Sequence, residues 1–246
     1  MSTMSESALM NLIVLCDPGA VAKKAAAIIA AEARSAVSDR GRFILAVSGG
    51  HTPWVMLRAL ADEDVPWQSV HLVQVDERIA PAGDADRNLS HLRDSLLDHA
   101  PLPRAQVHAM PVEARNLQAA AEQYAADLAR IAGTPPVLDL VHLGLGPDGH
   151  TASLVPGDPV LDETAGDVAL TGIYQGRRRM TLTYPLLNRA RRVLWVVTGA
   201  EKVAMLNRLL EGDPSIPAGR IRREQALVLA DIAAAGDGAE EPKEGE

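Results

Sequence analysis

An acid and a histidine lie two residues apart in a glycine-rich segment, as Asp148 and His150. The segment follows an apolar run at 140–146 that is typical of a buried strand, so we expect it at the carboxyl edge of a sheet. Open α/β folds build their binding sites at that edge. Histidine titrates near neutral pH, and a neighbouring carboxylate can orient its imidazole as a general base. The pair therefore predicts acid–base catalysis. The kind of substrate has to be inferred from other residues of the chain.

A second segment, Ser48-Gly49-Gly50-His51-Thr52, lies between a predicted strand and a predicted helix. Such a turn directs backbone N–H groups outward, and the helix dipole adds partial positive charge, which suits a phosphate. Glycines let an anion approach the backbone closely. We expect Thr52 to be the N-cap of the helix, with Pro53 at the first helical position. The alternative is a tight turn that binds nothing.

Charged side chains also follow other predicted strands. The run at 76–78 places Asp76 and Arg78 where they could contact substrate hydroxyls and a phosphate, although surface ion pairing is the alternative. Arg179 lies on a strand whose alternating threonines face the same way. Lys202 is predicted at the start of a helix, an unfavourable place for a cation unless an anion lies nearby.

The sequence disfavours three other kinds of site. The run at 144–149 reads G-x-G-x-x-G, but Pro156 and Pro159 would interrupt the helix that a dinucleotide site needs. The remaining histidines have no metal-ligand spacing and no cysteine partner, so we expect no metal. The G-x-S-x-G elbow of a serine hydrolase is not found.

Composition limits the kind of protein further. The 246 residues are 47% apolar, and Cys16 is the only cysteine, which suits a reducing cytoplasm. No apolar run reaches membrane-spanning length, and the N-terminus has no signal pattern, so we expect a cytoplasmic protein that does not bind membranes. The net charge is −8 and the basic runs are short and separated, which argues against nucleic-acid binding.

Strand and helix patterns alternate along the chain, which predicts an α/β fold with a mostly parallel central sheet. Leucines and other apolar residues recur at helical spacing over 117–132, and 88–100 also reads as a helix. We expect one domain over 1–235. The last residues, 236–246, contain five acids and one lysine, a net charge of −4, and we expect this tail to be disordered.

The motifs occur in the order found in 6-phosphogluconolactonases, and over about residues 10–232 the chain resembles that family. The most specific block is 148–154. The resemblance implies a single-domain, modified Rossmann-like three-layer fold. It also implies hydrolysis of 6-phospho-D-glucono-1,5-lactone to 6-phospho-D-gluconate, the second step of the oxidative pentose phosphate pathway. This carboxylic-ester hydrolysis requires no metal or organic cofactor. We expect the chain to be a monomer or a small homo-oligomer.

The resemblance further implies a role for each candidate residue. His150 takes a proton from the attacking water, and Asp148 orients or tunes the site. The phosphorylated sugar lactone is held by residues from five segments: Ser48, Gly49, Gly50, Thr52, Asp76, Arg78, Asn88, Arg179 and Lys202.

Two alternatives stay open. The related glucosamine-6-phosphate deaminases/isomerases have a glutamate just before the motif's proline, where this chain has Val155. Lactone hydrolysis does not need that acid, so Val155 favours the lactonase. A non-catalytic sugar-phosphate sensor is the second alternative, and the presence of both Asp148 and His150 argues against it.

Overall fold

Ten strands form two sheets in the computed structural model of this chain, which describes residues 10–236. The larger sheet has seven parallel strands, and the smaller one has three antiparallel strands. The strands are β1 (Asn11–Leu15), β2 (Phe43–Val47), β3 (Val70–Gln74), β4 (Asp76–Arg78), β5 (Val107–His108), β6 (Leu140–Leu143), β7 (Val168–Leu170), β8 (Arg179–Leu182), β9 (Arg192–Val197) and β10 (Ala226–Asp231).

Helices cover both faces of the larger sheet. Every residue of β2 is buried, as expected for a strand covered on both sides. Phe43 and Leu45 pack into one apolar cluster and Ile44 and Ala46 into another, so two separate cores lie on opposite faces. The predicted three-layer α/β fold with a mostly parallel central sheet is therefore confirmed. The helices are α1 (Pro18–Arg40), α2 (His51–Ala61), α3 (Asn88–Leu92), α4 (Leu117–Ala132), α5 (Tyr184–Leu187), α6 (Val203–Glu211) and α7 (Ile232–Ala235).

The order of the strands determines where a site can form. The larger sheet runs β1-β10-β9-β6-β2-β3-β5, so the chain leaves β2 toward β3 on one side and leaves β6 toward β9 on the other. Between β2 and β6 the connections therefore diverge. Such a switch point opens a crevice at the carboxyl ends of the two strands. The glycine turn at 48–52 follows β2, and the segment with Asp148 and His150 follows β6, so both predicted site segments lie at this crevice.

Helix α4 occupies 117–132, as the apolar periodicity predicts. Asn116 caps it by accepting a hydrogen bond from the backbone N–H of Ala119 at 3.1 Å, and Gly133 ends it. Its apolar side, which includes Tyr124 and Leu128, is buried against the sheet. Local sequence and tertiary packing agree here, which is why the prediction held at both ends.

The predicted start of α2 is wrong. The helix begins at His51, and the cap is Gly50, whose φ of 125° is in a region that glycine adopts far more readily than other residues. The carbonyl of Gly50 accepts from the backbone N–H of Trp54 and closes the first turn. Thr52 therefore lies inside the first turn, where its hydroxyl is 2.7 Å from that of Thr198.

Two other boundaries differ from the prediction. The helix expected over 88–100 is α-helical only over α3 and continues as a π-helical turn at Arg93–Leu97. The 76–78 run is not a strand end but a strand of its own, β4, which pairs with β8 in the smaller sheet. A partner more than a hundred residues away in the sequence decides this, and local patterns cannot reveal it.

Two further observations concern the limits of the fold. No helix within residues 10–236 is long and apolar enough to cross a membrane. The predicted acidic tail lies, from residue 237 onward, outside the described residues.

Candidate active site

A cavity of about 230 Å³ opens at the switch point between β2 and β6. It is polar, and nine of the eleven predicted site residues line it. Asp148 lies behind His150, and Thr52 faces a neighbouring cavity. The nine lining residues are Ser48, Gly49, Gly50, Asp76, Arg78, Asn88, His150, Arg179 and Lys202.

The acid and the histidine form a direct contact. His150 Nδ1 lies 2.5 Å from Asp148 Oδ1, and the same oxygen accepts from the backbone N–H of His150 at 3.1 Å. Burial alone would raise the pKa of the Asp148 carboxyl, but these hydrogen bonds outweigh it and the pKa lies below its usual value. Asp148 is therefore a carboxylate near neutral pH, and Nε2 is left as the free nitrogen of His150.

The glycines of the 144–149 run give this histidine its position. A Cβ on Gly146 would lie 2.0 Å from His150 Nδ1, so only glycine leaves room for the imidazole. Gly149 has a φ of 81° and packs against Ile216. The next regular element is a short 3₁₀ turn at Pro159–Asp162, so the strand–loop–helix arrangement of a dinucleotide site is not formed by this segment.

The turn after β2 is anchored from β6. The backbone N–H of Ser48 donates to His142 Nδ1 at 3.3 Å, and its hydroxyl donates to the His142 carbonyl at 3.1 Å. Gly49 approaches Asn88 so closely that a Cβ would lie 2.0 Å from Oδ1. His142 is fully buried, and burial lowers its pKa to about 3, so it is a neutral acceptor. Sequence reasoning missed this role because His142 lies inside an otherwise apolar strand.

Asp76 and Asn88 join two arginines at the opposite wall. The Asn88 amide donates to the Asp76 carbonyl at 3.0 Å, and Arg78 Nη1 donates to Asn88 Oδ1 at 2.8 Å. Asp76 Oδ2 accepts from the Ser153 hydroxyl at 2.5 Å and lies 4.0 Å from Arg179 Nη1. The wall thus presents two guanidinium groups and one carboxylate to the same small space.

Thr52 is the predicted residue that the structure does not bring to His150. It lines an adjoining cavity of about 370 Å³ that shares Gly49, Gly50 and Lys202 with the first. Lys202 is the last residue of a short 3₁₀ turn that leads into α6, with Nζ 3.9 Å from a carboxylate oxygen of Glu201. The two cavities therefore meet at a glycine turn and a lysine, a combination that suits an anionic group.

Glu77 lies between two site residues but faces away from the cavity. Strand alternation turns its side chain inward, where its carboxylate accepts from the backbone N–H groups of Arg78, Asn88 and Leu89 at 2.7, 2.8 and 2.9 Å. Arg87 Nε lies 3.1 Å from Glu77 Oε2 and completes a buried ion pair. Glu77 thus stabilises the backbone that positions Arg78 and Asn88 at the cavity.

Tyr174 is the second residue that sequence reasoning missed. Its hydroxyl donates to Asp148 Oδ2 at 3.2 Å, and its ring lies beside His150. It belongs to an irregular turn at 171–178, where residue periodicity does not predict the direction of a side chain.

The sequence and fold have close relatives among known proteins. Residues 16–229 match the family described as glucosamine-6-phosphate isomerases/6-phosphogluconolactonase. A 6-phosphogluconolactonase from Synechocystis sp. is 37% identical over 223 residues, which cover 87% of this chain and 92% of that protein. The structure of 6-phosphogluconolactonase from Trypanosoma cruzi is 26% identical with a TM-score of 0.83, and the match covers 93% of this chain and 97% of that one.

A monomeric glucosamine-6-phosphate deaminase shares the fold at a TM-score of 0.79 with 19% identity, covering 92% of this chain and 99% of that one. That likeness extends to the fold alone. The match over most of the sequence, together with the fold, shows that the chain belongs to the glucosamine-6-phosphate isomerase/6-phosphogluconolactonase family.

Proposed function

We propose that this chain is a carboxylic-ester hydrolase that converts 6-phospho-D-glucono-1,5-lactone to 6-phospho-D-gluconate, in the oxidative pentose phosphate pathway. The observation that carries the proposal is the Asp148–His150 pair at a cavity bordered by three cations. The names of relatives such as the Synechocystis protein support the same reaction. No step of it calls for a metal or an organic cofactor.

The chemistry begins with the free nitrogen of the imidazole. With Nδ1–H directed at Asp148, Nε2 of His150 accepts a proton from water, and the water oxygen attacks the lactone carbonyl. The tetrahedral oxyanion is stabilised by nearby backbone N–H groups or a basic side chain, often the largest single catalytic contribution. Collapse breaks the bond to the ring oxygen, which takes the proton back from His150. The product is the open-chain acid.

The substrate phosphate fits the place where the two cavities meet. Ser48, Gly49, Gly50 and Thr52 form the glycine turn at the start of α2, whose backbone N–H groups and dipole favour an anion. Lys202 lies on the other side of that place. A phosphate bound there directs the sugar ring toward His150.

The opposite wall then holds the ring. Arg78 and Arg179 supply positive charge, and Asp76 and Asn88 offer acceptors and donors to the sugar hydroxyls. Both arginines line the cavity, and their positive charge also favours the substrate phosphate and the oxyanion.

The isomerase/deaminase reaction is the second candidate, because a monomeric glucosamine-6-phosphate deaminase shares the fold of this chain. Val155 occupies the position at which that reaction needs a glutamate, and its side chain is buried. A non-catalytic sensor would bind the sugar phosphate without turning it over. The Asp148–His150 contact supports catalysis over sensing.

The test is an assay of freshly prepared lactone at acidic to neutral pH, where spontaneous hydrolysis is slow. We expect the purified protein to release acid well above the spontaneous rate, and His150→Ala to reduce kcat/KM by roughly 10²–10⁴-fold, as for general acid–base catalysis. His99→Ala changes an exposed histidine and serves as the matched control.

Each outcome distinguishes the candidates. Ammonia release from glucosamine 6-phosphate without lactone hydrolysis would establish the isomerase/deaminase reaction instead. Binding of 6-phosphogluconate without turnover of either substrate would indicate a sensor. Full activity in His150→Ala would remove His150 as the base.

A further inference from the structure

The turn at 171–178 lies beside the Asp148–His150 pair and Arg179 and is held there by several contacts. The backbone N–H of Tyr174 donates to the Arg177 carbonyl at 3.0 Å, which closes the turn. The Arg177 guanidinium lies 3.0 Å from Asp84 and 2.8 Å from Asp86, so an ion-pair network ties the turn to the loop before α3. The Tyr174 side chain is therefore held at a defined place.

The hydroxyl of Tyr174 contacts the acid–histidine pair from outside. It donates to Asp148 Oδ2 at 3.2 Å, while the other carboxylate oxygen contacts His150 Nδ1 at 2.5 Å. The two rings meet edge to face, with centroids 5.4 Å apart. Burial and the charge of Asp148 raise the pKa of the Tyr174 phenol, so the hydroxyl stays protonated and acts as a donor.

The aromatic ring of Tyr174 contacts the other half of the site. The guanidinium carbon of Arg179 lies 5.0 Å from the ring centroid, within the range of a cation–π contact. The neighbouring Gln175 accepts from Arg179 Nη2 at 3.3 Å. Gln175 has a φ of 51°, a left-handed conformation that is uncommon for a residue other than glycine and that turns its side chain toward the arginine.

We propose that Tyr174 is a positioning residue that orients both halves of the site: its hydroxyl fixes Asp148 and thereby His150, and its ring fixes Arg179 against the substrate. The inference rests on the proposed function for its kinetic consequences. Its structural content, the link from Tyr174 to the histidine, does not depend on the reaction.

The two contacts have different consequences. A donated hydrogen bond withdraws part of the negative charge of Asp148. Without it, Asp148 favours the protonated imidazole more strongly, and its carboxylate is also freer to rotate. Loss of the hydroxyl should therefore lower kcat and move the acidic limb of the pH profile to higher pH. The other charged groups at the cavity are unchanged: Asp76, Arg78, Arg179 and Lys202.

Two substitutions separate the hydroxyl from the ring. Tyr174→Phe keeps the ring, so we expect kcat to fall about tenfold, as for a lost hydrogen bond to a charged group, with KM within about twofold. The acidic limb should rise by a few tenths of a pH unit. Tyr174→Leu removes the ring as well, and we expect the same loss in kcat together with a rise in KM of about fivefold.

Tyr184→Phe is the matched control. Tyr184 also donates its hydroxyl once, to the Pro217 carbonyl at 3.0 Å, and also carries an arginine over its ring, Arg220 at 4.4 Å. Neither tyrosine lines the cavity, and the difference between them is that the Tyr174 hydroxyl contacts Asp148 whereas the Tyr184 hydroxyl contacts Pro217. Equal kinetic changes in Tyr184→Phe and Tyr174→Phe would show a general packing effect and overturn the proposal.

A measurement without substrate keeps the inference separate from the proposed function. In protein with labelled histidine side chains, the His150 resonance, identified by its loss in His150→Gln, can be followed by NMR through a pH titration. We expect its midpoint to move to higher pH in Tyr174→Phe and not in Tyr184→Phe, whether or not the lactone is a substrate. An unchanged titration curve would overturn the role of the hydroxyl, and an unchanged KM in Tyr174→Leu would overturn the role of the ring.

Discussion

Gly146 determines where the imidazole of His150 can lie. Any larger residue would place its Cβ 2.0 Å from Nδ1 and 2.2 Å from Cε1, and these ring atoms cannot yield because Nδ1 is held by Asp148. The backbone of this turn is also fixed, since the N–H of Gly146 donates to the His150 carbonyl at 2.8 Å. The glycine thus acts on the catalytic geometry through the space it leaves.

We therefore expect Gly146→Ala to fold and to lose activity. A displaced imidazole is no longer aligned with the substrate, and a misplacement of about 1 Å can cost on the order of 10²-fold in rate. The measurement is kcat on fresh lactone together with a thermal unfolding curve. Gly166→Ala is the control, because its nearest neighbouring atom would be 3.4 Å away, and native kinetics are expected. Native kinetics in Gly146→Ala as well would show that the site tolerates the shift.

At the scale of the element, β4 places alternate side chains in different environments. Asp76 and Arg78 face the cavity, and Glu77 faces the interior with no exposed surface. Its carboxylate joins β4 to the first residues of α3 and is paired with the buried Arg87. One inward acid thus joins the strand that carries Asp76 and Arg78 to the helix that begins with Asn88.

Glu77→Gln should destabilise the fold by about 3–5 kcal/mol, because it removes the buried one of the two carboxylates that pair with Arg87 and sets an amide against backbone donors. The free energy of unfolding in urea measures this. Glu113→Gln removes the half-exposed partner on the other side of Arg87, 3.0 Å from Nη1, and should have a much smaller effect. Similar losses in the two variants would contradict the anchoring role of Glu77.

The elements also show how far sequence alone can predict this protein. Helix α4 and the buried strands were predicted because burial and local periodicity agree, and the glycine motifs located both sides of the cavity. The inward role of Glu77 depends on pairing between β4 and β8, which are distant in the sequence. The cap at Gly50 and the contacts of Tyr174 depend on backbone angles and a tertiary fold that residue patterns do not encode.

At the scale of the whole molecule, the switch point makes the site depend on the integrity of the sheet. Segments from residue 48 to residue 202 meet there because parallel strands of the larger sheet end at one edge and the β4–β8 pair of the smaller sheet adds its side chains to the same cavity. His142 lies in the middle of that sheet, and its Nδ1 holds the backbone of Ser48. A neutral, fully buried histidine thus connects the site to the stability of the entire fold.

This histidine should give the protein an acid-sensitive stability. Burial lowers the folded-state pKa of His142 from 6.5 to about 3, so between these values the unfolded chain binds a proton that the folded chain does not. The free energy of unfolding should then fall as the pH drops through this window, with a contribution of up to about 1.4 kcal/mol per pH unit. Above pH 6.5 both states are neutral at this residue, and the contribution vanishes.

His142→Asn should flatten that dependence, since its amide oxygen can still accept from the Ser48 N–H but does not titrate. The variant is expected to be less stable than the native chain at pH 7.5, because a smaller side chain leaves a cavity, and the difference should shrink as the pH falls toward 4. Urea unfolding at several pH values measures both curves. The exposed His99→Asn should run parallel to the native protein. A parallel curve for His142→Asn would mean that His142 becomes protonated in the fold, and that the Ser48 turn is not held by a neutral acceptor.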